Sequence, residues 1–369
     1  MADRPDDGAV LDRRTLNRTL LARQFLLERV DASPLDVVRQ LVAMQSQVPL
    51  DPYVGLWSRL DEFDPDAFGE SLLERRAVRM TLLRVTLHLV TSEDALRLRP
   101  LLQPMLERAF ASSAFARELD GLDLAPVLVR ATELLERRAL TTAQLGVELG
   151  EEWPGYDTNA LAYAVRHLLP VVQITPRGVW GRSLQATMTT LGAWLDDPPA
   201  PSSTVEELVS AYLRAFGPAT AADIRAWSWL PDVRSTLDRL GSRLRMYRDE
   251  RGRVLFDVED GLFADPATPA PVRFLPQYDN VFLSYADRSR IMDGVTWDHT
   301  FMHRGVFLAD GFIAGAWKLT RTKREASLVV DVRARVRPAL RREVLGEAEA
   351  LLAFLAPDAT VRRLAPTRA

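Results

Sequence analysis

The chain has 369 residues, 47% of them hydrophobic and 26% charged, with a formal net charge of −3. That is the balance of a soluble globular protein with a large core and more than one domain, and it lacks the global basic field of a general nucleic-acid binder. Cysteine is absent, which removes disulfides, thiolate metal sites, iron–sulfur clusters and a cysteine nucleophile. No apolar run approaches the ~20 residues of a membrane span, and the polar start MADRPDDGAVLDRR does not read as a secretory signal, so a cytoplasmic protein is expected.

Residues 1–12 read as a disordered tail. From Thr15 the pattern is helical, with Leu16, Leu20, Leu21, Phe25 and Leu26 at three- and four-residue spacing. Ser33-Pro34 offers a cap and a first-turn proline for a second helix, which carries Leu35, Val38, Leu41 and Val42 and is expected to end near Gln45. Pro49 and Pro52 break the pattern. A helix is expected over 65–76, and VRMTLLRVTLHLVT, residues 78–91, predicts a strand pair.

A repeat follows. Helices are expected over 125–138, 141–149 and 158–169, the last capped by Thr158 or Asn159, then a strand, a Gly178 turn and a strand over 171–182. The order returns at 204–216, 220–227 and 231–240, with a hairpin over 243–258 that turns at Gly252; Thr141 matches Thr220. Three helices and a hairpin make a winged-helix unit, whose third helix can enter a major groove. The first 90 residues fit the same order with an extra helix. The expected fold is therefore α+β and mostly helical, with three tandem winged-helix units at 13–92, 93–195 and 204–260 around a DNA-binding cleft. A Pro/Ser linker spans 196–204. A C-terminal α+β section at 271–356 is expected to have strands at 272–275, 281–284, 305–309, 312–316 and 327–332 and a helix at 338–355.

Winged helices also serve as protein-interaction folds. Arginines on the hairpins (Arg84, Arg177, Arg182, Arg251 and Arg253) favour DNA, because a net acidic protein binds DNA when arginines line one face. Other chemistry is sparse. His299 and His303 have helical spacing but no Glu-x-x-His context, so no metal is expected, and no cofactor is implied: there is no phosphate-binding glycine loop and no G-x-S-x-G elbow. Of 47 basic residues only Lys318 and Lys323 are lysines, and both lie far in sequence from the N-terminal half.

The stretch MQSQVPLDPYVGLW, residues 44–57, is the exception. In an extended segment Gln45 and Gln47 share a face, and two amides supply acceptors and donors that can hold one water or face a cation with carbonyl dipoles. The same pair can equally tie down a helix end.

LNRTLLARQFLL, MQSQVPLDPYVGLWSRL and LLRVTLHLV, with the later FLPQYDNVFLSYADRSRIM and DGFIAGAWKL, resemble the AlkZ-like (YcaQ-type) winged-helix DNA glycosylases from about residue 14 to 355. The resemblance implies that Gln45-Ser46-Gln47 matches the family's catalytic Gln-x-Gln motif. The middle residue there is usually apolar, so Ser46 departs mildly. A subgroup carries Asp in the second place; this chain keeps Gln, as the enzymes of antibiotic-producing actinomycetes do. Thr86-Leu87-His88 resembles the family's T-L-H strand near the damaged base. The resemblance thus implies a monomeric, nucleoid-associated, monofunctional glycosylase. It would hydrolyse bulky N7-alkylated purines in double-stranded DNA, plausibly in self-resistance to a DNA-alkylating natural product, with Gln45 and Gln47 catalytic and Thr86, His88, Arg84, Arg177 and Arg182 on the lesion or the DNA. For Arg84 and His88 the alternative is contact within the protein. For the whole chain it is a non-catalytic winged-helix DNA- or adduct-binding protein or regulator.

Overall fold

The computed structural model describes residues 4–196, 203–296, 298, 301, 303–322, 324–334 and 337–367. Most of the expected linker, and His299 and Lys323, lie outside these residues.

Side-chain caps set where many helices begin. Asp12 caps Arg13–Arg23 and Ser33 caps Pro34–Gln40, each accepting a backbone N–H three residues on. Thr141 and Thr220 occupy equivalent places: each closes a capping box, with Gln144 and with Asp223, at the start of Thr142–Glu152 and of Ala221–Ser228. The helix Thr158–Leu168 is capped by Asp157, not by Thr158 or Asn159, because the Asp157 carboxylate reaches the Ala160 N–H at 2.8 Å. The third set of helices is Val205–Phe216, Ala221–Ser228 and Val233–Leu240, followed by strands Leu244–Asp249 and Val254–Val258. Gly252 has the positive φ of +74° that their turn requires.

Several expectations fail for tertiary reasons. The second helix stops at Gln40, and Met44–Gln45 is a strand. The Asn280 side chain donates to the Ala43 carbonyl at 2.7 Å, and Ser46 N–H donates to Leu87 O at 2.7 Å, so partners distant in sequence extend the chain. The tail is not free over its described part. Val10–Leu11 pairs in parallel with Arg248 and Asp249, and Leu11 packs with Leu16, Tyr247 and Phe263. The strand Val171–Gln173 pairs with Met188–Thr190 rather than with residues near 180. Val179 and Trp180 instead bury against the first unit: the Tyr53 hydroxyl donates to Gly178 O at 3.0 Å and accepts from Trp180 N–H at 3.1 Å, with the two rings 5.1 Å apart. Residues 280–283 are a short helix, Asn280–Leu283, because Asp279 caps it. An additional strand, Val361–Thr367, follows the last helix.

Met44–Gln45, Leu87–Thr91, Ala77–Thr81, Val171–Gln173 and Met188–Thr190 form one five-stranded antiparallel sheet in that order. The first and second helical sets thus share a sheet. A second five-stranded sheet runs Val361–Thr367, Glu325–Val332, Phe312–Arg321, Gly305–Ala309, Arg273–Leu275. It carries the helix Pro338–Leu355 on Val344, Ala348 and Leu351. The main core is continuous from Leu20 through Met80 and Trp227 to Phe282, so the units are fused rather than strung. Among the described residues no helix is long and apolar enough to cross a membrane.

Candidate active site

Gln45 stands opposite His88 in the antiparallel pair, so both side chains leave the same face of the sheet. Two residues on, Gln47 turns back to it: Gln45 Nε2 donates to Gln47 Oε1 at 2.9 Å. Gln45 is buried and Gln47 is exposed. The two amides converge as the i, i+2 rule requires of an extended segment. Ser46 points the other way and is fully buried, where it accepts from Arg79 Nε on Oγ (2.9 Å) and from the Arg79 fork on its carbonyl (2.7 Å). This gives the Ser46 hydroxyl a structural partner: Arg79 is itself buried, with its pKa pushed down to about 10 by burial and by the Arg177 charge.

Arg84 is placed inside, not on an open hairpin tip. Arg84 and Val85 both take left-handed φ values, +53° and +58°, in the turn between the strands. The guanidinium donates to Trp227 O at 2.7 Å and to Gln45 Oε1 at 3.1 Å. Burial lowers its pKa to about 10. Trp227 is 1% exposed and packs on Tyr212 (5.0 Å) and Phe216 (5.9 Å), which fixes the carbonyl that Arg84 holds. The result is a directed chain. Arg84 only donates, so Gln45 must present its carbonyl to Arg84 and its NH₂ to Gln47.

His88 is 1% exposed. Its Nδ1 lies 2.8 Å from the Thr86 carbonyl, which can only accept, so Nδ1 carries the proton. Burial and the Arg84 charge press its pKa down to about 3, so the ring is neutral and Nε2 is a bare acceptor without a partner among the described residues. The Thr86 hydroxyl donates to Leu83 O at 3.1 Å. Leu89 is in the core, whereas Leu87 is half-buried and enters the cleft wall, which His88 does not line. The other hairpin arginines have protein partners. Arg177 donates to Leu184 O, Arg182 is 4.0 Å from Glu70, and Arg251 and Arg253 both pair with Asp287.

Gln47 lies at a cleft of about 490 Å³ whose walls include Leu87, Tyr163, Arg166 and Tyr278, a volume suited to a small-molecule-sized group. His303 is exposed and 3.3 Å from Gln277 Nε2, and no group of three metal-ligating side chains occurs among the described residues.

A family model described as "DNA glycosylase AlkZ-like" matches residues 38–354, most of the chain. The chain belongs to the AlkZ-like DNA glycosylase family. The solved structure of the Streptomyces sahachiroi DNA glycosylase AlkZ is similar in fold, with a TM-score of 0.68 over 97% of this chain and 99% of that one at 20% identity. No curated protein matches the sequence.

In this AlkZ-like chain two charged residues with buried polar atoms escape sequence reasoning. One is Arg79, whose role depends on the fold bringing it under Ser46. The other is Asp51, at the start of the helix Asp51–Trp57. Its Oδ2 is buried without a partner among the described residues, and burial, with the Asp279 charge, raises its pKa to about 7. Asp279 itself is held by Arg59 through two bonds of 2.9 and 2.8 Å. An Asp-Pro at a helix start is so common a cap that nothing in the sequence distinguishes this one.

Proposed function

We propose that this family member is a monofunctional glycosylase that hydrolyses the N-glycosidic bond of bulky N7-alkylated purines in duplex DNA, in a role of self-resistance to a DNA-alkylating natural product. The observation that carries the reading is the Arg84–Gln45–Gln47 chain of hydrogen bonds ending at the exposed Gln47 beside the cleft. An N7-alkylated purine is already cationic and leaves readily, through an oxocarbenium-like sugar. Little acid catalysis is required. A positioned water and dipoles facing the developing charge suffice. Gln47 keeps a carbonyl lone pair and an NH₂ group available to hold such a water, and the fixed Gln45 amide sets its orientation. The three helix-rich units, read as winged helices, would track the duplex around this point.

The lysine inventory supports a monofunctional enzyme. A Schiff-base lyase requires an amine at the sugar, and Lys318 sits exposed on the strand Phe312–Arg321 of the C-terminal sheet. The test is mass spectrometry of bases released from alkylated duplexes, with borohydride added in parallel. Free modified base and intact strands are expected. A borohydride-trapped protein–DNA adduct would overturn the monofunctional assignment, and binding without any base release would leave the non-catalytic alternative.

A further inference from the structure

The cleft beside Gln47 has an unusual charge balance for a chain with 50 acidic residues: among the described residues no Asp or Glu lines it. Its one permanent charge is Arg166, on the helix Thr158–Leu168. Arg166 is half-buried and has no hydrogen bond or ion pair with the described residues, unlike the hairpin arginines described above.

The neighbouring ring reinforces that charge. Tyr163 is stacked between Phe115, at 4.1 Å, and His167, at 3.9 Å. Both of its electron-rich faces are covered, so what the ring offers the cleft is its edge. An aromatic edge carries the positive end of the quadrupole, and the cation–π attraction that an aromatic wall offers an ammonium is not on offer here. His167 is biased toward its neutral form. Its Nδ1 lies 2.7 Å from Tyr163 O, and burial and the Arg166 and Arg99 charges lower its pKa. The remaining polar lining includes the amides Gln47, Gln173 and Gln277.

We infer that this cleft selects adducts by charge. It accepts an N7-purine adduct whose bulky appended group is uncharged and rich in carbonyl or ether oxygens and excludes one whose appended group carries an ammonium, and Arg166 is the specificity-determining residue. The inference rests on the glycosylase reading above. An ammonium entering the cleft loses hydration and meets a guanidinium with no carboxylate to offset either cost. A carbonyl oxygen in the same place accepts a charge-assisted hydrogen bond from Arg166 and others from the amide NH₂ groups.

The test uses two duplexes, each with one N7-guanine adduct of matched size. One adduct ends in a carbonyl- and ether-bearing group and the other carries a tertiary ammonium on the same scaffold. Single-turnover excision is measured for the wild type, Arg166→Gln and Arg166→Glu, with N7-methylguanine as a third wild-type substrate. The wild type is expected to favour the neutral adduct by roughly tenfold or more, the scale on which pocket contacts discriminate. That ratio should shrink with Arg166→Gln and invert with Arg166→Glu. Equal wild-type rates on the matched pair would overturn the inference. So would Arg166 variants that slow both adducts alike at constant ratio, the signature of a phosphate contact. Release of base from none of the three substrates would instead overturn the glycosylase reading beneath it.

Discussion

Two hairpins that look alike in sequence use arginine in opposite ways. In Ala77–Thr81 and Leu87–Thr91 the turn arginine, Arg84, is half-buried and is bonded to two carbonyl oxygens, one of them that of the Gln45 side chain. In Leu244–Asp249 and Val254–Val258 the turn arginines stay partly exposed: Arg253 bridges Asp249 and Asp287, and Arg251 reaches Asp287. The first hairpin stores an uncompensated charge next to the site. The second neutralises its charges on the protein's own surface. An arginine at a hairpin tip is therefore a poor guide to DNA contact until its partners are known.

The largest expected effect tests whether the first hairpin serves catalysis at all. Gln45→Ala and Gln47→Ala should each slow single-turnover excision by about 100- to 1000-fold, the loss seen when one preorganised donor or acceptor is removed. The double variant should be little slower than the worse single, because the amides act as a unit. Normal excision by the double variant, with only a lowered thermal midpoint, would reduce the pair to a structural tie.

Arg84→Met sharpens the contrast. Gln45 would lose the donor that fixes its amide, and the rate should fall by about 10- to 100-fold with damaged-DNA affinity nearly intact, since removing a bond to a charged donor costs roughly 1.5–3 kcal/mol. If affinity falls and the rate constant holds, Arg84 is a DNA contact and the comparison breaks.

Carboxylates diverge in parallel. Asp51 is raised to about 7 by burial, whereas Asp287, despite its own partial burial, is held below the usual range by backbone hydrogen bonds and Arg253. A carboxyl whose folded pKa is raised binds its proton more tightly when folded, so its contribution to stability declines as pH rises from about 4 to about 7. Asp51→Asn should therefore gain stability relative to wild type across that window, by roughly 1–3 kcal/mol at pH 8 compared with pH 4. Denaturant melts at the two pH values measure it, and a pH-independent difference would mean that Asp51 is solvated.

The smallest effect belongs to the second hairpin. Arg251→Gln and Arg253→Gln should each change stability by no more than ~1 kcal/mol, as partly exposed ion pairs do, and excision at moderate salt should stay close to wild type. A large loss of duplex affinity would show that these arginines exchange Asp287 for phosphate when DNA binds.

How much of this was legible follows the range of the interactions. Caps and turns act within a few residues, so Ser33, Thr141, Thr220 and Gly252 could be read directly. The Gln45–Gln47 pairing was legible for the same reason. It needs only an extended backbone, although the helix was expected to run on to Gln45. The pairing of Val171–Gln173 with Met188–Thr190 was not legible, because the glycine-containing TPRG looks like a tight turn while Trp180 is drawn away to Tyr53. Nor was the inward course of Arg84. It depends on a left-handed Val85, a conformation that β-branched residues rarely adopt and no local rule anticipates.

The shared sheet has a mechanical consequence. Arg79 pairs with Gln173 and Met80 with Val172, so the ladder that carries Gln45 continues without a hinge into the strand beside the helix that carries Tyr163 and Arg166. The jaw holding the amides and the jaw holding Arg166 are two ends of one stiff plate, and separating them means tearing main-chain hydrogen bonds. On the proposed reading the opening would act as a fixed gauge: a swollen nucleotide would be admitted or refused at its existing width, and the bending needed to present it would fall on the double helix.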